Sequence, residues 1–342
     1  MFYSTFTTLL AGSLVVRGSI AGYVLTDDYS KDKFFGNFDA FTDKDPTNGF
    51  VKYEDLKTAT EQHLIGTVSN ANDASYLGVD HATKTTTGRS SMRISSKKSF
   101  NHGLFIADIA HMPGGMCGAW PAFWLVGPDW PNGGEVDILE GVNTQAKNQV
   151  TLHTGDGCSI SNTGMTGTLN TTNCYGNAPS QPTNAGCAVL SSDTKTFGSG
   201  FNAAGGGVYA TEWTSSGISV WFFSRNSIPA DITKGSPNPQ SWGTPAAHFA
   251  GGCKIDDHFK DMQIVFDTTF CGDWAGKAWA SSGCAASMST MTCEQHVGQN
   301  PEFFTEAFWL INGVKVYAQQ KSQRRRGGRF VGFETVDDEF WI

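Results

Sequence analysis

Apolar and polar residues alternate over short runs along most of the chain, and Gly, Pro, Asn or Ser closes nearly every run. Such a period of two predicts half-buried strands, because successive side chains on a strand point to opposite faces. The runs are Met92–Ser95, Gly103–His111, Ala119–Val126, Glu135–Glu140 and Gln149–Thr154. Val208–Trp213, Ile218–Phe223, Met262–Phe270, Phe308–Ile311 and Val314–Tyr317 complete the series. Asn312-Gly313 lies between the last two runs and predicts a hairpin, since both residues tolerate the positive φ of a type I′ turn. Ser216-Gly217 predicts a second hairpin between the two runs that flank it. No amphipathic helical pattern extends beyond three turns, strands do not alternate with helices, and nothing repeats. The pattern leaves an all-β fold, an antiparallel sandwich or barrel, in one domain over residues 23–318.

Composition narrows the function. Charged residues make up only 16% of the 342, while 24 Phe and 10 Trp supply ample apolar surface, so the chain is neither a coiled coil nor disordered. With 24 basic against 32 acidic residues the net charge is −8, which argues against nucleic acid as a partner. Phe6–Val16 reads as the apolar region of a secretory signal ending near Ser19, Ala21 and Gly22, although no basic residues precede it. The run is too short to span a bilayer, which takes about 20 apolar residues. A signal over residues 1–22 implies a secreted chain, extracellular or in the cell wall, with no membrane association after cleavage. Eight Cys between Cys117 and Cys293 then imply up to four disulfides, whose pairing spacing does not decide. Zinc is the competing use, but there is no C-x-x-C pair. Residues 155–207 read as a long loop region tethered by Cys158, Cys174 and Cys187, with a glycosylation sequon at Asn170. Residues 319–342, with the basic run Arg324–Arg326, read as a solvated tail.

The chemistry concentrates in Gly134-Glu135-Val136-Asp137-Ile138-Leu139-Glu140-Gly141. On a regular strand Glu135 and Asp137 share one face and Glu140 falls on the other. A one-residue β-bulge at Ile138-Leu139 would return Glu140 to the face of the other two. Three carboxylates in a row repel one another and raise one another's pKa. A solvated acidic strand or a Ca²⁺ site would tolerate that, but neither accounts for the apolar residues between them or for Trp120, Phe123, Trp124 and Trp130 just ahead. Carboxylates beside flat aromatic surface suit glycoside hydrolysis, which needs an ionised nucleophile, a protonated acid and rings that stack on sugars. Two Glu flanking a short Asp could approach the ~5–5.5 Å carboxyl separation of a retaining mechanism.

The segment G-E-V-D-I-L-E-G resembles the bulged E-x-D-x-x-E signature of glycoside hydrolase family 16, in the form typical of laminarinases. GLFIADIAHMPGGMCGAWPAFWLVGPDWPNGGEVDILEGVN, LHTGDGC, EWTSSGISVWFFSR and IVFDTTFCGDWAG extend the likeness to fungal secreted endo-β-1,3(4)-glucanases from about residue 24 to Tyr317. The resemblance implies a β-jelly-roll sandwich of two curved antiparallel sheets with a concave substrate cleft. It implies Glu135 as nucleophile, Glu140 as general acid/base and Asp137 as their assistant. It also implies substrate contacts from Trp130, Trp124 and Trp274, and His153 matches a family position near the cleft; Arg93, whose fork of donors suits sugar hydroxyls or a catalytic carboxylate, joins them as a substrate-binding candidate. His111, His248 and His258 carry no such argument and are read as structural. The expected partner is β-glucan, the chain is expected to be a monomer, and no cofactor or metal is implied. A transglycosylase of the same fold remains open, as does a glucan-binding lectin, although lectins of this fold typically lose a catalytic Glu that this chain has.

Overall fold

The computed structural model describes residues 22–69, 73–161 and 163–320. The apolar stretch Phe6–Val16 and the run Arg324–Arg326 lie outside the described residues. In chain order the strands begin with β1 (Tyr23–Tyr29), β2 (Phe38–Ala40), β3 (Val51–Tyr53), β4 (Ile65–Val68), β5 (Ala74–Leu77) and β6 (Arg89–Ser91). The next are β7 (Arg93–Ser96), β8 (Gly103–His111), β9 (Ala119–Val126), β10 (Glu135–Glu140), β11 (Gln149–His153) and β12 (Thr168–Leu169). Then come β13 (Cys187–Leu190), β14 (Gly207–Thr214), β15 (Gly217–Ser224), β16 (Ala247–Phe249), β17 (Gln263–Phe270) and β18 (Trp309–Gln319). Among the described residues no helix exceeds the seven of Cys293–Gln299, and none is long and apolar enough to cross a membrane.

Two large antiparallel sheets face each other as a jelly-roll sandwich. One runs β16-β15-β14-β8-β18-β5-β4, with β1 also on β18; the other runs β12-β13-β11-β10-β9-β17-β7-β2. Alternation fills the space between them. Phe105, Ala107 and Ile109 of β8, Tyr209 and Trp213 of β14, and Trp309, Ile311, Val314 and Val316 of β18 point in from the first sheet. Ile94, Phe123, Leu125, Val136, Ile138, Leu152, Ile264 and Phe266 point in from the second. Phe123 stacks on Phe266 at 4.5 Å, and Phe266 meets Trp309 edge-on at 5.5 Å across the layers. The residues between these on β9, β10, β17 and β7 consequently occupy the other face of the second sheet.

The expected Asn312-Gly313 hairpin does not form. Both apolar runs belong to one strand, β18, which pairs with β8 along both halves. The Asn-Gly pair makes an irregularity instead: the register against β8 shifts on either side of Ile311, and Asn312 Nδ2 donates to Asp108 Oδ1 at 2.8 Å. Glycine is required there because a Cβ at Gly313 would lie 2.7 Å from the Cβ of Ser30. The second hairpin does form, but its pairing places Thr214 opposite Gly217, so Ser215-Ser216 makes the turn and not Ser216-Gly217. Residues 155–207 are less of a loop than expected, since β12 and β13 extend the second sheet beside β11. All eight Cys pair, as Cys117–Cys284, Cys158–Cys253, Cys174–Cys187 and Cys271–Cys293.

Candidate active site

β10 is entered from Gly134, whose φ of +81° and whose Cβ position, 2.5 Å from the His258 carbonyl oxygen, admit no larger residue. From there Glu135, Val136 and Asp137 alternate regularly against Val126, Leu125 and Trp124 of β9. The register then shifts, and Leu139 stands opposite Phe123 and Glu140 opposite Ala122. Against β11 the shift falls between Asp137 and Glu140. This is the β-bulge expected at Ile138-Leu139, and it buries both of those side chains completely in the core. Glu140 therefore returns to the face of Glu135 and Asp137.

A residue that sequence reasoning passed over braces the bulge. Asn148, 1% exposed, accepts from the Glu140 N–H through Oδ1 at 2.8 Å and donates from Nδ2 to the Ile138 carbonyl at 2.8 Å. Its side chain thus supplies the two bonds the interrupted ladder cannot. Trp120, noted only as one aromatic among several, donates from Nε1 to Glu140 Oε1 at 2.7 Å.

The expected site residues fall around this row in different ways. Trp124 is buried opposite Asp137, and Arg93 lies over its ring at 4.8 Å and over Phe41 at 4.5 Å. His153, opposite Glu135 on β11, brings Nε2 to 3.8 Å from Glu135 Oε1 and 3.4 Å from Asp137 Oδ2. Trp130 is 48% exposed beside the entrance to β10. Trp274 sits in the turn Gly272–Gly276 and meets Trp120 edge-on at 5.6 Å, so it joins the row through that ring. His111 and His248 belong to the first sheet, where they bond the Phe308 carbonyl and the Ser219 hydroxyl. Asp267, absent from the sequence reading, is buried on β17 opposite Ala122 and Arg93.

Burial and mutual repulsion set the charges. Burial first, and then the Asp137 charge, push the Glu135 carboxyl up to about 8, against the opposing pull of His153, Arg93 and Trp130. Burial, Asp137, Glu135 and Asp267 drive Glu140 well above the usual carboxylate range, and only the Trp120 hydrogen bond works against them. Burial alone would lower His153, but the adjoining Asp137 and Glu135 charges outweigh it and hold the imidazole raised. Glu135, Asp137 and His153 also offer atoms within 4.8 Å of one another, the one arrangement among the described residues with spacing for a metal ion. Chemically the row provides two glutamates whose carboxyls are both raised, by burial first and then by the Asp137 charge between them, and which are bordered by indole rings. That pairing fits attack at one atom with protonation of its leaving group.

A family model described as the XgeA-like catalytic GH16 domain matches residues 38–317. An endo-1,3(4)-beta-glucanase of Arthroderma benhamiae is 48% identical over 317 residues, covering 91% of this chain and 68% of that protein. The chain spans about half the length of several further fungal relatives that it matches. Among solved structures, an elongating GH family 16 beta-1,3-glucosyltransferase superposes with a TM-score of 0.80 at 45% identity, covering 86% of this chain and 100% of that one. Laminarinase 16A of Phanerochaete chrysosporium, solved with 6-O-glucosyl-laminaritriose in donor and acceptor sites, gives 0.81 at 41% identity, covering 87% and 100%.

Proposed function

Because the chain belongs to glycoside hydrolase family 16, we propose that it cleaves internal β-1,3 linkages of glucans, and mixed β-1,3/1,4 linkages, with retention. The observation that carries this reading is the bulge in β10, which sets Glu135, Asp137 and Glu140 on one face with Trp120 bonded to Glu140. In the first step the Glu135 carboxylate bonds the anomeric carbon as the C–O bond to the leaving sugar breaks, and the Glu140 proton passes to the departing oxygen. In the second, Glu140 takes a proton from water, the water oxygen bonds the same carbon, and Glu135 leaves as carboxylate. Two inversions give net retention. Asp137 assists Glu135, and His153 neutralises the pair of carboxylates beside it. Trp130, Trp124 and Trp274 contribute sugar-stacking surface, and Arg93 contributes hydrogen-bond donors. The similar proteins named for glucans support the substrate class.

A second reading, glucan transfer, is favoured by the likeness to an elongating glucosyltransferase. It replaces water by a sugar hydroxyl in the second step and leaves every residue role unchanged. One experiment separates the two: a product time-course on laminarin, lichenan and carboxymethyl-cellulose, with proton NMR of the new anomer. Shorter oligosaccharides from the first two, initially β, support hydrolysis with retention. Products longer than the starting oligosaccharide support transfer, and initial α-anomers overturn the double displacement. Residues 23–318 serve in this reading as one catalytic domain acting as a monomer. Four disulfides favour an extracellular site of action, in medium or cell wall, since such bonds persist in oxidising surroundings.

A further inference from the structure

Asp267 is a buried carboxyl group that the two-glutamate scheme does not use. It stands on β17 directly opposite Ala122 of β9, and Ala122 in turn stands opposite Glu140 of β10. The three residues form one row across the sheet, on the face that also carries Glu135 and Asp137, and the middle position carries only a methyl group. On its other side Asp267 is opposite Arg93 of β7. Asp267 is 7% exposed, its Oδ2 accepts one long bond of 3.4 Å from the Tyr53 hydroxyl, and its Oδ1 accepts none. The Arg93 guanidinium is spread over the rings of Phe41 and Trp124, and its Nε is also without a partner. A carboxyl group this poorly served by hydrogen bonds costs the fold stability.

We propose that Asp267 is a positioning residue for the acid/base: it sets, across Ala122, how firmly Glu140 holds its proton. The proposal rests on the reading of Glu140 as acid/base. Around Glu140 stand Trp120 of β9, Glu135 and Asp137 of β10 and Asp267 of β17, while Gln149, opposite it on β11, is uncharged. Around Asp267 stand Arg93, Tyr53, Asp45 and Asp137. Burial first, then Asp45 and Asp137, hold Asp267 at about 7 against Arg93 and Tyr53. Asp267 is therefore neutral in acid and gains its charge through neutral pH. That new anion repels loss of the proton from Glu140 and extends activity on the alkaline side.

Asp267→Asn removes the charge while its amide oxygen still accepts from Tyr53. The alkaline limb of kcat/KM on laminarin, which reports the free enzyme, moves to lower pH by roughly one unit, the effect of a unit charge ~10 Å away at an effective dielectric near ~20. The acid limb stays in place. On a 2,4-dinitrophenyl laminari-oligosaccharide, whose leaving group departs without a proton, the shift disappears. Tyr53→Phe withdraws the hydrogen bond that favours the Asp267 anion and moves the same limb the same way by less. An alkaline limb unmoved in Asp267→Asn, or moved equally on the aryl glycoside, overturns the proposal. If Asp267→Asn fails to fold, an unmoved limb in Tyr53→Phe overturns it instead. Wild-type chain that releases nothing from laminarin or the aryl glycoside refutes the reading of function and not the role of Asp267.

Discussion

Glu140 combines more opposing demands than any other residue of the site. It is 8% exposed, shares a face with the carboxyl groups of Glu135, Asp137 and Asp267 and has one hydrogen-bond donor, Trp120, on its carboxylate. Folding holds its proton where the unfolded chain, with a Glu pKa of about 4.3, releases it. Glu135 behaves alike, with its carboxyl pushed up to about 8. A carboxyl raised on folding stabilises the folded state at low pH, and that contribution is lost as pH rises from about 4.3 through about 8. Stability should fall over this window. Glu140→Gln keeps an oxygen for Trp120 and removes the titration, so its melting temperature at pH 7 should exceed that of the wild type by about 2–6 °C, with a flatter pH dependence. Its turnover on laminarin should drop by about 10²–10⁴-fold, as should that of Glu135→Gln. Calorimetry between pH 4.5 and 8 checks the first expectation; a Glu140→Gln protein that melts lower than wild type at pH 7 would contradict the burial argument.

At the scale of the element, the site is a defect built into a strand. A regular β10 would send Glu140 into the core, because a shift of one residue exchanges the faces. The bulge prevents this, and Asn148 satisfies the Glu140 N–H and the Ile138 C=O that it leaves over. Asn148→Ala strands both groups in the interior and should cost about 2–4 kcal/mol in urea denaturation. It should also lower kcat more than it raises KM, since it loosens Glu140 and leaves the aromatic surface alone; a protein destabilised but fully active would show that the bulge holds itself. Of this element, the strand limits and the bulge were legible in sequence, because one extra residue at Ile138-Leu139 brings the three carboxylates of an alternating strand to one face. Asn148 was not, since its partners are backbone groups and any polar residue in Lys147-Asn148-Gln149 reads alike. Asp267 was hidden for a related reason: facing Glu140 across Ala122 depends on which strands neighbour one another, and alternation is silent on strand order. The same blindness misread Asn312-Gly313, whose turn chemistry is real but is overruled by a full-length pairing of β18 with β8.

Across the whole molecule, two of the four disulfides belong mechanically to the site. Cys271 ends the strand β17 region and opens the turn that carries Trp274, and it is bonded to Cys293. Asn143 ties the same turn to the start of β9, donating to the Ala275 carbonyl at 2.9 Å while accepting from the Gly118 N–H at 2.8 Å. Cys117, next to Gly118, is bonded to Cys284. Trp274 then rests on Trp120, and Trp120 holds Glu140. The bond Cys158–Cys253 has no comparable route, because Cys158 packs into the central core. Replacing either pair by Ser should cost about 2–5 kcal/mol of stability. The two variants should part in activity, assayed well below their melting temperatures where both are folded. Without Cys271–Cys293 the Trp274 turn loses one of its anchors, so kcat should fall several-fold and KM for laminarin should rise. Without Cys158–Cys253 both constants should stay near those of the wild type. Equal losses of activity in the two variants, in proportion to lost stability, would mean that the disulfides serve the fold alone. A loss confined to the first would mean that an indole on a cross-linked turn sets, through the Trp120 ring, the position of Glu140.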